Sequence, residues 1–313
     1  MTSPDSEAQL PSWEELLGAQ GYRIFIKLVR AYFAQHGLPI ELDETQGILL
    51  SETEQGTTQS TYGLQNLAQV CGQADRDEWR DLITRHFDAI LDAQKNIADE
   101  TKASTDFAAL KPFLRARIFP EDVAKHTDEL IYRRGPPGTI ETLALDNPIA
   151  VRTIARSETR EWDLSDTELL RIGRQNLLDQ GLLKPERVQV EAGSDLYVYT
   201  GDPYYAASHV LLLDEYLPDV LPNGALIGIP RRDLFVAHYI RNPGALEVIS
   251  AMIQLIIGLY REGPGSISAN LFWFWRGAFI QLPYEIKDDE LDFEPPDEFV
   301  DMLDDLTAGV SLS

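Results

Sequence analysis

The clearest alternation of apolar and polar positions falls between residues 196 and 240. Leu196, Val198 and Thr200 alternate with Tyr197 and Tyr199, which predicts a strand. Gly201-Asp202-Pro203 stops it, with Asp202 placed as an N-cap and Pro203 at the first position of a helix. That helix carries Tyr204, Ala207 and Leu211 along one face and ends at Pro218. Asn223-Gly224 signals a turn, and Ala225–Ile229 with Leu234–Ile240 then predict a hairpin closed by Pro230-Arg231-Arg232-Asp233.

Elsewhere the same patterns set out the remaining elements. Ser12 and Glu15 form a capping-box pattern before a helix reaching His36, apolar through Leu17, Ile24, Phe25, Leu28, Val29, Tyr32 and Phe33. Short alternating segments at Ile40/Leu42 and Ile48/Leu50 predict a hairpin, with a third strand through Thr57–Tyr62. A short helix from Leu64 and a longer one from Trp79 through Ile90 follow, the latter setting His86 on an apolar face. Strands are predicted over Leu114–Phe119, Leu130–Arg133, Ile140–Leu145 and Ile149–Ile154, and a helix opens at Ser165 and Glu168 and closes at Gly181. Gly244 to Arg261 predicts a helix apolar around most of its circumference. Leu271–Trp275 and Ala278–Leu282 flank Arg276-Gly277 as a final hairpin.

These elements define an α+β protein: an N-terminal helix–hairpin–helix subdomain packed on a larger mixed domain with antiparallel hairpins. The expected boundaries are a polar leader at 1–11, the N-terminal subdomain at 12–105, the main domain at 106–285 and an acidic segment at 286–313. That last segment departs in composition. Between Glu285 and Asp305 eleven acidic residues face Lys287 alone, −10 of a total net charge of −24. A short helix with Phe299, Met302, Leu303 and Leu306 at helical spacing starts at Pro296-Asp297-Glu298. Helices of that length are marginal alone in water, so it needs a surface of its own domain or of a partner.

Composition narrows the partners. At 44% hydrophobic and 9% aromatic, the 313 residues can bury a sizeable core. Strong negative charge argues against nucleic acid or an anionic membrane as partner, because both would repel the chain. One cysteine, Cys71, excludes an intramolecular disulfide and a cysteine-rich metal site. No basic-then-apolar leader and no apolar run of about 20 residues occurs, so a cytoplasmic protein is expected.

Candidate chemistry is thin. The sharpest enzymatic idea is a serine hydrolase using Ser208, His238 or His209, and Asp233, since a nucleophilic serine needs a base in reach. Ser208 lacks a G-x-S-x-G elbow, and a serine in the Ala-Ala-Ser-His context on a helix is more often a small residue permitting close packing. Five scattered histidines show no metal-ligand spacing, so no metal and no cofactor are expected. Arg231, Arg232 and Arg241 form the one basic cluster, able to hold a carboxylate or phosphate, with ion pairs to Asp233 or the acidic tail as the competing reading. In the strand Leu271–Trp275, Phe272 and Phe274 face one side and Trp273 and Trp275 the other. One side is core, and the other calls for cover by the C-terminal segment or another chain.

Several short strings, Leu145-Asp146 through Trp162, Ser165 and Asn176-Leu177, Tyr205-x-Ala207-Ser208, Ile229-Pro230-x-x-Asp233 and Ile240-Arg241-Asn242, resemble in order and spacing the YtpQ-like bacterial proteins, a domain-of-unknown-function family. The resemblance spans residues 12 to 284, leaves out the acidic tail, and implies one co-folded α+β unit without naming a reaction. The expectation is therefore a non-enzymatic interaction or adaptor module with a protein partner, binding through Trp273, Trp275, Phe299 and Leu303. The alternative is a small-molecule or anion-binding enzyme, hydrolytic in one version, using Asp202, Tyr205, Ser208, Arg232, Asp233 and His238.

Overall fold

Amphipathic helices and antiparallel strands each bury one face, and a computed structural model shows how they are paired. It describes residues 14, 16–44, 47–52, 59–101, 106–126, 128–146, 151–189, 195–216, 222–242, 244–263, 265–287 and 290–310. The chain divides into two units, Met1–Asp99 with Glu262–Pro264, and Glu100–Arg261 with Gly265–Ser313.

The first unit contains α1 (Gly18–Gln35), a three-stranded sheet of β1 (Ile40–Asp43), β2 (Ile48–Glu52) and β3 (Gln59–Gly63), then α2 (Gln65–Gly72) and α3 (Trp79–Thr101). Tyr22, Phe25, Val29 and Phe33 of α1 pack with Leu49, Leu67, Trp79, Ile83 and Phe87. The predicted start of α1 at Ser12 lies outside the described residues. Gly18 opens the helix with φ +66°, a left-handed conformation that marks the break before it. Cys71 is buried, and burial pushes its thiol up to about 11.

The second unit is built on antiparallel sheets of four and six strands, with a two-stranded hairpin besides. After α4 (Phe107–Leu110) come β4 (Leu114–Pro120), β5 (Tyr132–Arg134), β6 (Thr139–Asp146) and β7 (Val151–Thr153), in the order β4-β6-β5 with β7 also on β6. Helix α5 (Asp166–Asp179) begins with the expected capping box, Ser165 accepting from Glu168 N while Glu168 reaches back to Ser165 N. It packs Leu169, Leu170 and Ile172 against Leu114, Leu143 and Leu145 of the sheet. Next come β8 (Pro185–Gln189), β9 (Asp195–Thr200), α6 (Leu213–Tyr216), β10 (Ala225–Arg231), β11 (Leu234–Tyr239), α7 (Ala245–Glu262), β12 (Leu271–Trp275), β13 (Ala278–Leu282), β14 (Tyr284–Lys287), β15 (Glu290–Phe293) and α8 (Asp297–Val310). The six-stranded sheet runs β13-β12-β10-β11-β9-β8.

Its two faces sort the side chains by the period of two that the sequence shows. Ile227, Phe235, Phe272 and Phe274 turn toward Val210 and Leu211, while Leu226, Val236 and Trp273 turn toward α7 and α8. Trp273 is 0% exposed, stacked on Trp275 and capped edge-on by Phe299. The open aromatic side expected for a partner is therefore covered by the chain's own C-terminal helix.

Three details differ from the sequence expectation. The helix predicted after Pro203 is a 3-10 helix, Ala206–Leu212, buried on every side. Ala207 N donates to Arg232 O instead of to a preceding turn, and Ser208 Oγ accepts from Ile118 N, so the segment is pinned to two strands. Strand β8 goes unpredicted because all five of its side chains are exposed and no apolar alternation marks it. The β14–β15 hairpin is hidden in the same way by its run of charges.

Candidate functional site

Strand β4 carries Arg115, Arg117 and Phe119 on one face and Ala116 and Ile118 on the other, as strand alternation requires. Directly across from Arg117 stands Thr142 on β6, and beyond it Tyr132 on β5. Arg117 is only 8% exposed. Its guanidinium lies 4.6 Å from the ring centroid of Phe119 and 5.7 Å from those of Tyr204 and Tyr205. Cation–π attraction of this kind is worth about 2 kcal/mol or more when desolvated. It supplies no hydrogen-bond acceptor.

Both tyrosines come from the turn after β9. Asp202 Oδ1 accepts from Tyr204 N at 2.8 Å, which fixes the direction in which the two rings leave the chain. Arg232 approaches the same place from the β10–β11 turn, its guanidinium 4.9 Å over Tyr204. Gly265, at φ +88°, makes that approach possible, since a Cβ there would lie 2.6 Å from Arg232 Cδ.

Three buried polar atoms at or next to this cage are unsatisfied among the described residues. Arg117 Nε, Thr142 Oγ1 and Tyr205 Oη are buried without a hydrogen-bond partner among the described residues. Arg117 and Arg232 likewise form no ion pair among them. Each such orphan costs about 1–3 kcal/mol, so three in one place are an expensive arrangement for a fold to keep. Burial holds the Arg117 guanidinium below its usual range, and the positive charge of Arg232 adds to this. Burial also raises the Tyr205 phenol, with Asp146 acting in the same direction. Asp146, at the end of β6, is raised by burial and by Asp202, while Arg115, 4.0 Å away, opposes the rise.

Of the residues singled out from sequence, Asp202, Tyr205 and Arg232 meet at this cage. The other members of that set do other work. Ser208 Oγ is occupied by Ile118 N, and His238 Nδ1 lies 2.9 Å from Asp195 O. Asp233 accepts two hydrogen bonds from Arg231, at 3.0 and 3.1 Å. Asp233 and His238 flank β11 at opposite ends, roughly 16 Å apart at the strand rise, so the structure does not bring them together. His209 is held by Tyr216, whose hydroxyl accepts from Leu183 N and stands 2.6 Å from His209 Nδ1. Arg241 lies over Tyr239, away from Arg231 and Arg232. The three arginines of the basic cluster thus part company.

Arg117 and Thr142 escaped the sequence reading. Their only signal is Arg115-Ala-Arg117, two charges with the spacing of one face of an otherwise apolar strand. A second buried charge lies on the opposite face of the same sheet. Glu141 is 0% exposed and accepts from Arg174 Nε at 2.7 Å and Nη2 at 2.8 Å, and from Arg133. Its lone pairs are filled, which makes it a structural pair. Beside Arg174 opens a cleft of 610 Å³ lined by the Gly135–Thr139 loop, Val210, Leu213, Asp214, Phe274 and Phe279. This cleft and the unsatisfied polar atoms therefore do not coincide. We place the site at the atoms, because volume alone specifies no ligand.

The fold and cage define an α+β protein with a buried arginine, Arg117, that forms no ion pair among the described residues. The chain matches no family model, no curated protein and no solved structure.

Proposed function

We propose that the protein is a binding module for a small organic anion, whose carboxylate or phosphate sits on Arg117 within the cage of Phe119, Tyr204 and Tyr205. The observation that carries this reading is buried Arg117, whose Nε has no acceptor among the described residues, together with the buried hydroxyls of Thr142 and Tyr205, which lack partners among them too. An oxyanion accepts from all three groups and removes their desolvation penalty at once. Arg232 brings a second positive charge against the ring of Tyr204, which is 41% exposed and forms the solvent side of the cage. Binding through Trp273 and Trp275 is the weaker reading, since Phe299 already occupies that face. No described helix is long and apolar enough to cross a membrane, and we assign the binding role to a cytoplasmic protein. The YtpQ-like resemblance stays within this proposal as a family expectation and adds no chemistry to it.

Benzoate and inorganic phosphate, titrated at constant ionic strength while thermal unfolding is followed, provide the test. At least one should raise the melting temperature, by the equivalent of about 2.7 kcal/mol at a hundredfold excess over Kd. Arg117→Gln should abolish the effect. Arg117→Met, which removes an unpaired buried charge, should leave the ligand-free protein at least as stable. An unchanged melting temperature with both anions, or an Arg117→Met protein several kcal/mol less stable, would show that the arginine is structural.

A further inference from the structure

The charges around the cage have both signs, and they do not meet. Asp146 shares the Arg117 face of the four-stranded sheet, two residues beyond Ala144, the partner of Arg115. The one ion pair of its carboxylate among the described residues is the loose 4.0 Å approach of Arg115. Asp202 uses Oδ1 to hold Tyr204 N, and no described group pairs with its other oxygen. Arg117 is near enough to both carboxylates to feel them, yet forms an ion pair with neither. Arg117 is buried while Asp202 is exposed, and a buried charge normally closes on an opposite charge within reach, because leaving it open is costly. Here they are held apart by the strand on one side and the Asp202 turn on the other.

Building on the anion-binding reading, we propose that the ligand is an α-amino acid, its carboxylate on Arg117 and Tyr205 Oη and its ammonium between Asp146 and Asp202. A zwitterion of this kind completes both halves of the site in one step, whereas a simple carboxylate or phosphate would satisfy Arg117 and be repelled by the two aspartates. The rings of Phe119 and Tyr204 then offer an apolar surface to the amino-acid side chain, which selects apolar over charged residues. Arg115 stays with Asp146 and keeps that carboxylate ionised for the ammonium.

The test compares L-phenylalanine with 3-phenylpropionate, which has the same ring, chain length and carboxylate but no ammonium. By calorimetric titration L-phenylalanine should bind at least tenfold tighter. Asp146→Asn should remove that preference, and so should Asp202→Asn, whose amide oxygen can still cap Tyr204 N. Equal binding of the two compounds, or tighter binding of 3-phenylpropionate, with the asparagine variants behaving like the parent, would overturn the amino-acid assignment and leave the anion site standing. No heat from either compound, together with Arg117→Gln indistinguishable from the parent, would overturn both.

Discussion

Single side chains decide whether this protein's charges bind or brace. Glu141 and Arg117 sit one residue out of register on neighbouring strands and so face opposite ways, one saturated by two arginines and the other set among rings with no ion pair among the described residues. Alternation in the sequence says that a strand carries charge. Which charge finds a partner depends on what arrives from residues 174, 204 and 232. His209 shows the same dependence. Burial lowers it to about 4, so it is neutral in the fold at any pH above that value. The unfolded chain takes up a proton near pH 6.5 while the folded one does not, so the unfolded state gains stability as pH falls from 6.5 toward 4. The loss from this one group amounts to about 3 kcal/mol. His209→Gln should flatten that part of the profile, read as the difference between the two proteins' urea midpoints at pH 7 and pH 4.5.

At the scale of elements, hairpins and capped helices were largely legible. Ser165–Glu168, the β10–β11 hairpin and the β12–β13 hairpin each carry a local signal of cap or turn chemistry. The Arg276-Gly277 turn shows where that signal was incomplete. Both residues have positive φ, 50° and 75°, the two-residue turn that suits strand twist, and Arg276 is kept there by stacking 3.9 Å over Trp275. Helix α8 was expected to need a surface, and it finds one beneath Phe299, Met302 and Leu303. Phe299→Ala should therefore cost about 3–5 kcal/mol. It should also shift tryptophan emission to longer wavelength, because Trp273 loses its cover. A variant of parental stability with unshifted emission would show that α8 contributes nothing to the core.

For the molecule as a whole, a net charge of −24 sets a long-range field opposed to the ligand class proposed. Distant exposed charges are screened over about 8–10 Å at moderate salt, whereas a contact inside the cage is screened much less. The association rate of benzoate should therefore rise between about 10 and 150 mM salt, the reverse of a steered encounter. That of a net-neutral amino acid should hardly change. Stopped-flow fluorescence at the two ionic strengths separates these outcomes, and a benzoate rate that falls with salt would mean that the local field at Arg117 and Arg232 dominates. From the sequence alone followed the α+β class, the order of most elements and the apolar faces, because periodicity and turn chemistry act between near neighbours. Tertiary structure alone decided that the tail helix docks on its own tryptophans, that Ser208, His238 and Asp233 go separate ways, and that Arg117 meets Tyr205, Asp202 and Arg232. Whether a buried polar atom finds a partner depends on contacts between residues some 25 to 88 positions apart, and no local pattern of side chains encodes that distance.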